Sequence, residues 1–297
     1  MTGSEPSAAQ PWMRLRFWGV RGVHASAGPQ YVRYGGNTSA LEVELDCETG
    51  APSLRVLFDF GTGAIGLGRK LLGDGFGAGK GRLLVLLTST QLDHTGALPF
   101  FVPLFIPGNH IALYGASTAD QTPRELLEDL LDPHYSPINS LNNFGASLQI
   151  AAAQEGRLQV EGLRPDQSID VLRLGDAQEA SLAFRLNSAG RSVAIVGDAA
   201  WRSPEVQDAV VQFATNVDVL LHNSAWIERF TPPLTGLCPH MQAVVRLAER
   251  CGAGQLVLTH HSPYSTDVHL DELQQRLSGV DKPRVVVGHE GLVLQPA

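Results

Sequence analysis

The segment Leu83–His94, LLVLLTSTQLDH, runs from a continuous apolar stretch directly into an acid and a histidine. A short apolar run without alternation is typical of a strand that is buried on both faces. Asp93 and His94 then lie just past the end of that strand, where functional side chains gather at the edge of a sheet. One Asp-His pair is also explained by a helix cap beside a buried histidine, so this segment alone predicts only the strand.

Two further apolar strands end in residue types that bind metals. Val193–Asp198 (VAIVGD) ends in an acid, and Leu256–His260 (LVLTH) ends in a histidine. Because the ends of buried strands collect in one crevice, we expect both ends to lie beside Asp93 and His94. Two imidazoles and two carboxylates are suitable ligands for Zn²⁺, Mn²⁺ or Fe²⁺. The candidate metal ligands are Asp93, His94, Asp198 and His260.

Strands and helices are predicted in two groups along the chain. Predicted strands include Met13–Val20, Ala40–Leu45, Leu54–Phe60, Ile111–Tyr114, Leu182–Leu186, Ser192–Val196, Val217–Leu221 and Arg284–Val287. Predicted helices are Ile65–Leu72, Thr122–Leu131, Pro204–Phe213, Met241–Arg250 and Leu270–Leu277. Two sheets, each covered by helices, predict an α/β fold with four layers in the order helix–sheet–sheet–helix. We expect a single domain over residues 13–297, preceded by a flexible tail over residues 1–12.

The composition limits which binding partners and which cellular compartment we expect. The chain has 22 basic and 30 acidic residues and a formal net charge of -8, which disfavours a general nucleic-acid or anionic-membrane surface. No apolar run approaches the roughly 18 residues that cross a bilayer, and residues 1–10 lack the pattern of a secretion signal. The three cysteines are too scattered for a disulfide framework. These observations predict a cytoplasmic protein without a membrane partner.

The stretch Gly61–Gly66 matches the dinucleotide-binding pattern G-x-G-x-x-G and follows a predicted strand. That fingerprint also requires an acid after the next strand, and the corresponding positions Leu87–Thr90 contain none. A glycine turn that lets Asp59 approach other backbone is therefore favoured over a dinucleotide site.

Several motifs resemble those of the metallo-β-lactamase-fold hydrolases, and most closely the branch of cyclic-nucleotide phosphodiesterases and tRNA 3′-processing endonucleases. The resembling segments are Phe17–Gly22 (FWGVRG), Arg33–Ser39 (RYGGNTS), Phe58–Gly63 (FDFGTG), Leu98–Phe101, Pro107–Asn109 and Leu256–Pro263 with Asp267. The resemblance as a whole extends over roughly residues 13–295. The resemblance implies the αββα sandwich of that family, a small phosphodiester ligand, a two-metal hydrolase site and a homodimer.

The metal motif departs from the family pattern Thr-His-x-His-x-Asp-His. Over Thr88–His94 this chain reads TSTQLDH, so Ser89 and Gln91 stand where the family has two ligands of its first metal. A third ligand of that metal, also a histidine, would fall near Ala177. The resemblance thus implies that only the second metal retains its ligands, namely Asp93, His94, Asp198 and His260. It also implies proton-transfer roles for Asp198 and, although the local spacing differs from the family's, for His240.

Three hypotheses remain open from the sequence. The first is a mononuclear metal-dependent phosphodiesterase with one Zn, Mn or Fe ion, acting on a cyclic nucleotide or similar ester. The second is an inactive family member without a metal, used for binding, sensing or scaffolding. The third, a dinucleotide-binding oxidoreductase, has the least support.

Overall fold

Two seven-stranded sheets form the centre of the computed structural model, which describes residues 13–45, 54–176, 178–179, 181–198, 202–224 and 239–296. The strands are β1 (Met13–Gly19), β2 (Ala40–Leu45), β3 (Leu54–Phe58), β4 (Arg82–Leu86), β5 (His110–Gly115), β6 (Ser147–Ala152), β7 (Gly156–Leu158), β8 (Ser168–Arg173), β9 (Leu182–Ser188), β10 (Arg191–Ile195), β11 (Val219–Asn223), β12 (Gln255–Thr259), β13 (Arg284–Val287) and β14 (Val293–Leu294). The helices are α1 (Gly63–Gly73), α2 (Leu92–Thr95), α3 (Pro123–Asp129), α4 (Pro204–Phe213), α5 (Pro239–Cys251) and α6 (Asp267–Leu277).

The strand orders are β14-β1-β2-β3-β4-β5-β6 in the first sheet and β13-β12-β11-β10-β9-β8-β7 in the second. The run from β3 to β6 is parallel, and so is the run from β10 to β13. In each sheet the carboxyl ends of these parallel strands therefore lie at one edge. At that edge the Leu182 amide donates to the Thr88 carbonyl over 2.9 Å and joins the two sheets.

The side chains of β2 alternate between two layers of the fold. Leu41, Val43 and Leu45 are buried in the core between the sheets. Glu42 and Glu44 point to the opposite face, where they are buried beside α1 and pair with basic side chains. Paired carboxylates are tolerated there because cations compensate their loss of hydration.

The predicted four-layer α/β architecture is confirmed. Leu67 and Leu71 of α1 pack on the outer face of the first sheet. Buried side chains of α4, α5 and α6, such as Val210 and Leu270, cover the outer face of the second. Strands β9 and β10 form a hairpin, in which their residues pair antiparallel and Ala189 and Gly190 between them have positive φ.

The sequence did not indicate strands β6, β7, β8 and β14. The side chains of β6 alternate between exposed and half-buried positions at the edge of the sheet, so this strand lacks the apolar run of a central strand. The helix predicted from Leu270 begins earlier, at Asp267, because Thr266 caps its first turn. The tail predicted over residues 1–12 lies outside the described residues. Within the described ranges, every helix is too short or too polar to cross a bilayer.

Candidate metal centre

Three of the four predicted ligands converge at the shared edge of the sheets. Asp93 and His94 lie on α2, directly after β4, and His260 follows β12. The Nε2 atoms of His94 and His260 are 3.1 Å apart, and the Asp93 Oδ2 lies 2.7 Å from the His260 Nε2 and 3.6 Å from the His94 Nε2. A tetrahedral ion with bonds of about 2.1 Å separates its ligand atoms by roughly 3.4 Å, so the spacing suits one metal ion.

Asp59 fixes the orientation of His94. Its carboxylate accepts hydrogen bonds from His94 Nδ1 over 2.8 Å, from Ser39 Oγ over 2.8 Å and from the Thr88 amide over 2.8 Å. The Thr88 hydroxyl donates to the same carboxylate. With Nδ1 committed as a donor, the Nε2 atom of His94 faces Asp93 and His260, and it offers its lone pair when the ring is neutral. A carboxylate behind a ligating histidine is the usual arrangement at protein metal sites.

The glycines of the G-x-G-x-x-G stretch allow this carboxylate its position. Asp59 has a φ of 64°, in the left-handed region. A Cβ on Gly61 would lie 2.4 Å from the Ser39 carbonyl oxygen, and one on Gly63 would lie 2.4 Å from that of Trp18. These contacts agree with the favoured interpretation of the stretch as a close backbone turn. The sequence indicated that turn, but not that Asp59 orients a candidate ligand.

The charges of the site are strongly coupled. Burial disfavours a charged Asp93, but the hydrogen bond from His260 and the nearby His94 hold the pKa of Asp93 well below its usual range. Burial likewise opposes a charged His94, yet Asp59, Asp93 and Asp198 raise the pKa of His94 to about 9. A metal ion requires the neutral imidazole, so binding of an ion would displace a proton from this cluster.

Asp198 follows β10 at the same edge, outside the tight group of Asp93, His94 and His260. Its negative charge contributes to the raised pKa of His94, which shows that it lies near. Its Oδ1 atom is buried and has no hydrogen-bond partner among the residues that the structure describes. A buried carboxylate oxygen without a partner is costly, and a cation would satisfy it. The chemistry of these four residues therefore fits one divalent ion.

The remaining predicted positions are less informative. Ser89 is half-buried and Gln91 is exposed in the turn between β4 and α2, where the Gln91 amide donates to the Ser89 hydroxyl over 3.2 Å. His240 lies in the first turn of α5, but its side chain falls outside the described residues, as does Ala177. His261 bonds through Nε2 to the Gly288 carbonyl, and its burial lowers its pKa to about 3, which indicates a packing role.

Comparison with known proteins gives one family and a set of similar folds. The model of the β-lactamase superfamily domain matches residues 55–261, more than half of the chain. The metallo-β-lactamase fold protein YhfI from Bacillus subtilis is similar at 17% identity and a TM-score of 0.65, with 96% of this chain and 99% of that chain covered.

Two further solved structures are similar over nearly their whole length. A diphosphatase from the PhnP family has 14% identity and a TM-score of 0.59, covering 95% of this chain and 97% of its own. The short form of human tRNase Z, ELAC1, has 18% identity and a TM-score of 0.55, covering 96% and 99%. At such identities these likenesses establish the fold alone. The comparison with curated proteins found no match.

Proposed function

Because the chain belongs to the β-lactamase superfamily, we propose that it is a metal-dependent hydrolase that uses one divalent ion and cleaves a phosphodiester. The convergence of the Asp93 Oδ2 with the Nε2 atoms of His94 and His260 carries the proposal. Asp198, whose Oδ1 atom is buried without a hydrogen-bond partner in the described part of the chain, is the fourth proposed ligand. Zn, Mn or Fe suits this mixture of imidazole and carboxylate ligands.

We propose one ion instead of two because of the residues at the position of the family's first metal. Ser89 and Gln91 offer neutral oxygens and an amide where the resemblance places two imidazoles. Such groups orient a water molecule or a substrate oxygen, but they do not replace imidazole as zinc ligands. The substrate class rests on the structural neighbours named as a diphosphatase and a tRNase Z, and on the resemblance to cyclic-nucleotide phosphodiesterases.

A bound ion at this site would supply Lewis-acid polarisation of a phosphoryl oxygen and a more acidic water. The chain's own groups have separate tasks. Asp59 keeps the Nε2 of His94 available, and the Val23 amide holds the Asp93 carboxylate in place over 2.7 Å. We propose Asp198 and His240 as the residues that would accept and donate protons in the reaction.

The test is metal analysis of protein purified without chelator, together with hydrolysis of bis(p-nitrophenyl) phosphate and of cyclic nucleotides. We expect about one ion per chain and slow hydrolysis that requires it. Asp198→Ala should lose both, whereas Ala substitution of the remote, exposed Asp208 should lose neither. Hydrolysis that persists in metal-free protein would contradict the proposed use of the ion.

An inactive binding protein is the alternative, and one observation favours it. Asp93 and His260 already satisfy each other through a direct hydrogen bond of 2.7 Å, so this part of the cluster is stable without an ion. Protein that contains no metal after purification and hydrolyses no phosphodiester with added Mn²⁺ or Zn²⁺ would support the alternative. It would also exclude the proposed hydrolase.

A further inference from the structure

We propose that exposed apolar side chains beside the candidate metal centre form a subsite for an aromatic ring on the substrate's phosphoester. This inference rests on the proposed function and specifies its substrate class. The side chains are Val23, Leu92 and Tyr264, which are 54%, 69% and 73% exposed. Single exposed apolar residues are ordinary, but several around one polar site mark a binding surface.

Val23 connects this surface directly to a candidate ligand. Its backbone amide donates to the Asp93 Oδ2 over 2.7 Å, while its side chain remains exposed. Its φ is 67°, which is an outlier for a β-branched residue. Strained backbone of this kind persists where surrounding contacts enforce it, commonly at ligand sites. The fold therefore holds an apolar side chain outward beside the ligand that its own amide positions.

Tyr264 belongs to a second loop that is bound to the first. Its ring meets the ring of His24 edge-to-face, with centroids 5.8 Å apart. The Ser26 hydroxyl donates to the Pro263 carbonyl over 2.9 Å, and the Gly22 amide donates to the His261 carbonyl over 2.8 Å. These bonds fix the loop that carries Tyr264 against the loop that carries Val23. The tyrosine ring is thus held by a contact with one neighbouring ring, while the residue remains 73% exposed.

Leu92 adds a third exposed apolar side chain, from the segment that follows β4. It precedes Asp93 at the start of α2 and exposes its side chain, while Asp93 itself is buried. Exposed apolar residues therefore come from three segments around the polar centre, which follow β1, β4 and β12. A phosphoester whose phosphate faces the centre would place its ester group against this surface. A planar ring suits it, because an aromatic pair adds binding energy beyond the buried area.

The experiment compares ligands that differ only in the ring. Calorimetric titration of zinc-loaded protein with phenylphosphonate and methylphosphonate measures the phenyl contribution. Titration with AMP and ribose 5-phosphate measures the contribution of a nucleobase. We expect the ring-bearing ligand of at least one pair to bind about two- to tenfold more tightly. Equal affinity within both pairs would overturn the subsite.

Three variants test which residues cause the preference for the ring-bearing ligand. Tyr264→Ala should remove most of the difference between the paired ligands, whereas Tyr264→Phe should keep it. Tyr135→Ala, which removes another tyrosine that is 91% exposed, should leave it unchanged. An equal loss in Tyr135→Ala, or full retention in Tyr264→Ala, would refute the assignment to these loops. Far-ultraviolet circular dichroism shows that each variant is folded.

The outcome separates the subsite from the proposed hydrolase. A ring preference in protein that hydrolyses no diester would support the subsite and overturn the catalytic proposal. Hydrolysis of aryl and alkyl diesters with the same KM, together with equal affinities within both ligand pairs, would overturn the subsite and leave the hydrolase standing.

Discussion

Replacing Asp59 by asparagine tests how strongly a residue that touches no ion controls the metal centre. The two side chains have the same shape, and asparagine tolerates the left-handed φ of 64° at this position. Asp59 is almost fully buried and accepts hydrogen bonds on both oxygens, from the Thr88 amide and hydroxyl, from Ser39 and from His94. The asparagine has one acceptor oxygen, so its NH₂ group must face a donor.

The expected loss of metal affinity depends on which hydrogen-bond donor the NH₂ group of the asparagine faces. The Thr88 amide is fixed by the backbone, so the remaining oxygen is expected to stay with it and the NH₂ group to face His94. His94 then becomes an acceptor at Nδ1 and carries its proton on Nε2, where an ion would bind. Removal of a carboxylate behind a metal-ligating histidine weakens metal binding by about ten- to hundredfold. That range equals about 1.4 to 2.8 kcal/mol.

Competition with a chromophoric chelator measures the zinc affinity. Urea unfolding of metal-free protein separately measures the free energy of unfolding. The matched control is Asp267→Asn. Asp267 is also buried and accepts two backbone amides, from Arg33 and Tyr34, but it does not contact His94. Zinc affinity within twofold of the original in Asp59→Asn would refute the reasoning. An equal loss in Asp267→Asn would show a general cost of replacing a buried aspartate.

Three further substitutions probe the fold and the site. Gly22→Ala should abolish zinc binding but preserve the fold, because the new Cβ would lie 2.3 Å from the His260 ring. The control is Gly73→Ala, whose Cβ would meet open space. Metal content and circular dichroism of both variants are the measurements. Burial raises the pKa of Glu44, but two arginines lower it further, so its charge stabilises the fold above its unfolded pKa of 4.5. Glu44→Gln should therefore lower the free energy of unfolding by about 2 kcal/mol at pH 7, and urea titrations should show the deficit shrinking below pH 4.5. Thr122→Ala removes a capping box and should cost about 1 kcal/mol by the same assay; no change would contradict the cap.

The sequence predicted the layers and the edge where the candidate site lies, because both follow from local patterns. Continuous apolar runs identified β4, β10 and β12, and the polar residue after each run identified the edge. The metal role of Asp93, His94, Asp198 and His260 stays a prediction, although the structure brings three of them together.

Features that depend on contacts between distant segments were not predictable in the same way. The hydrogen bond from His94 to Asp59 joins residues 35 positions apart, and no pattern in the sequence specifies that pairing. The exposed side chain of Val23 gives no sequence signal either, since its position depends on an amide bonded to a residue 70 positions away. Edge strand β6 was missed because half-buried positions do not produce a strong apolar period.

The candidate ligands come from both sheets, which has a consequence for the protein as a folding unit. His94 belongs to the first sheet and His260 to the second, 166 positions later in the chain. An ion shared by these side chains would act as a reversible cross-link, comparable in its topology to a long-range disulfide. The unfolded chain does not present these ligands together, so the binding free energy would add to the cohesion of the two halves. Metal supply in the surroundings would then regulate the lifetime of the folded chain as well as its chemistry.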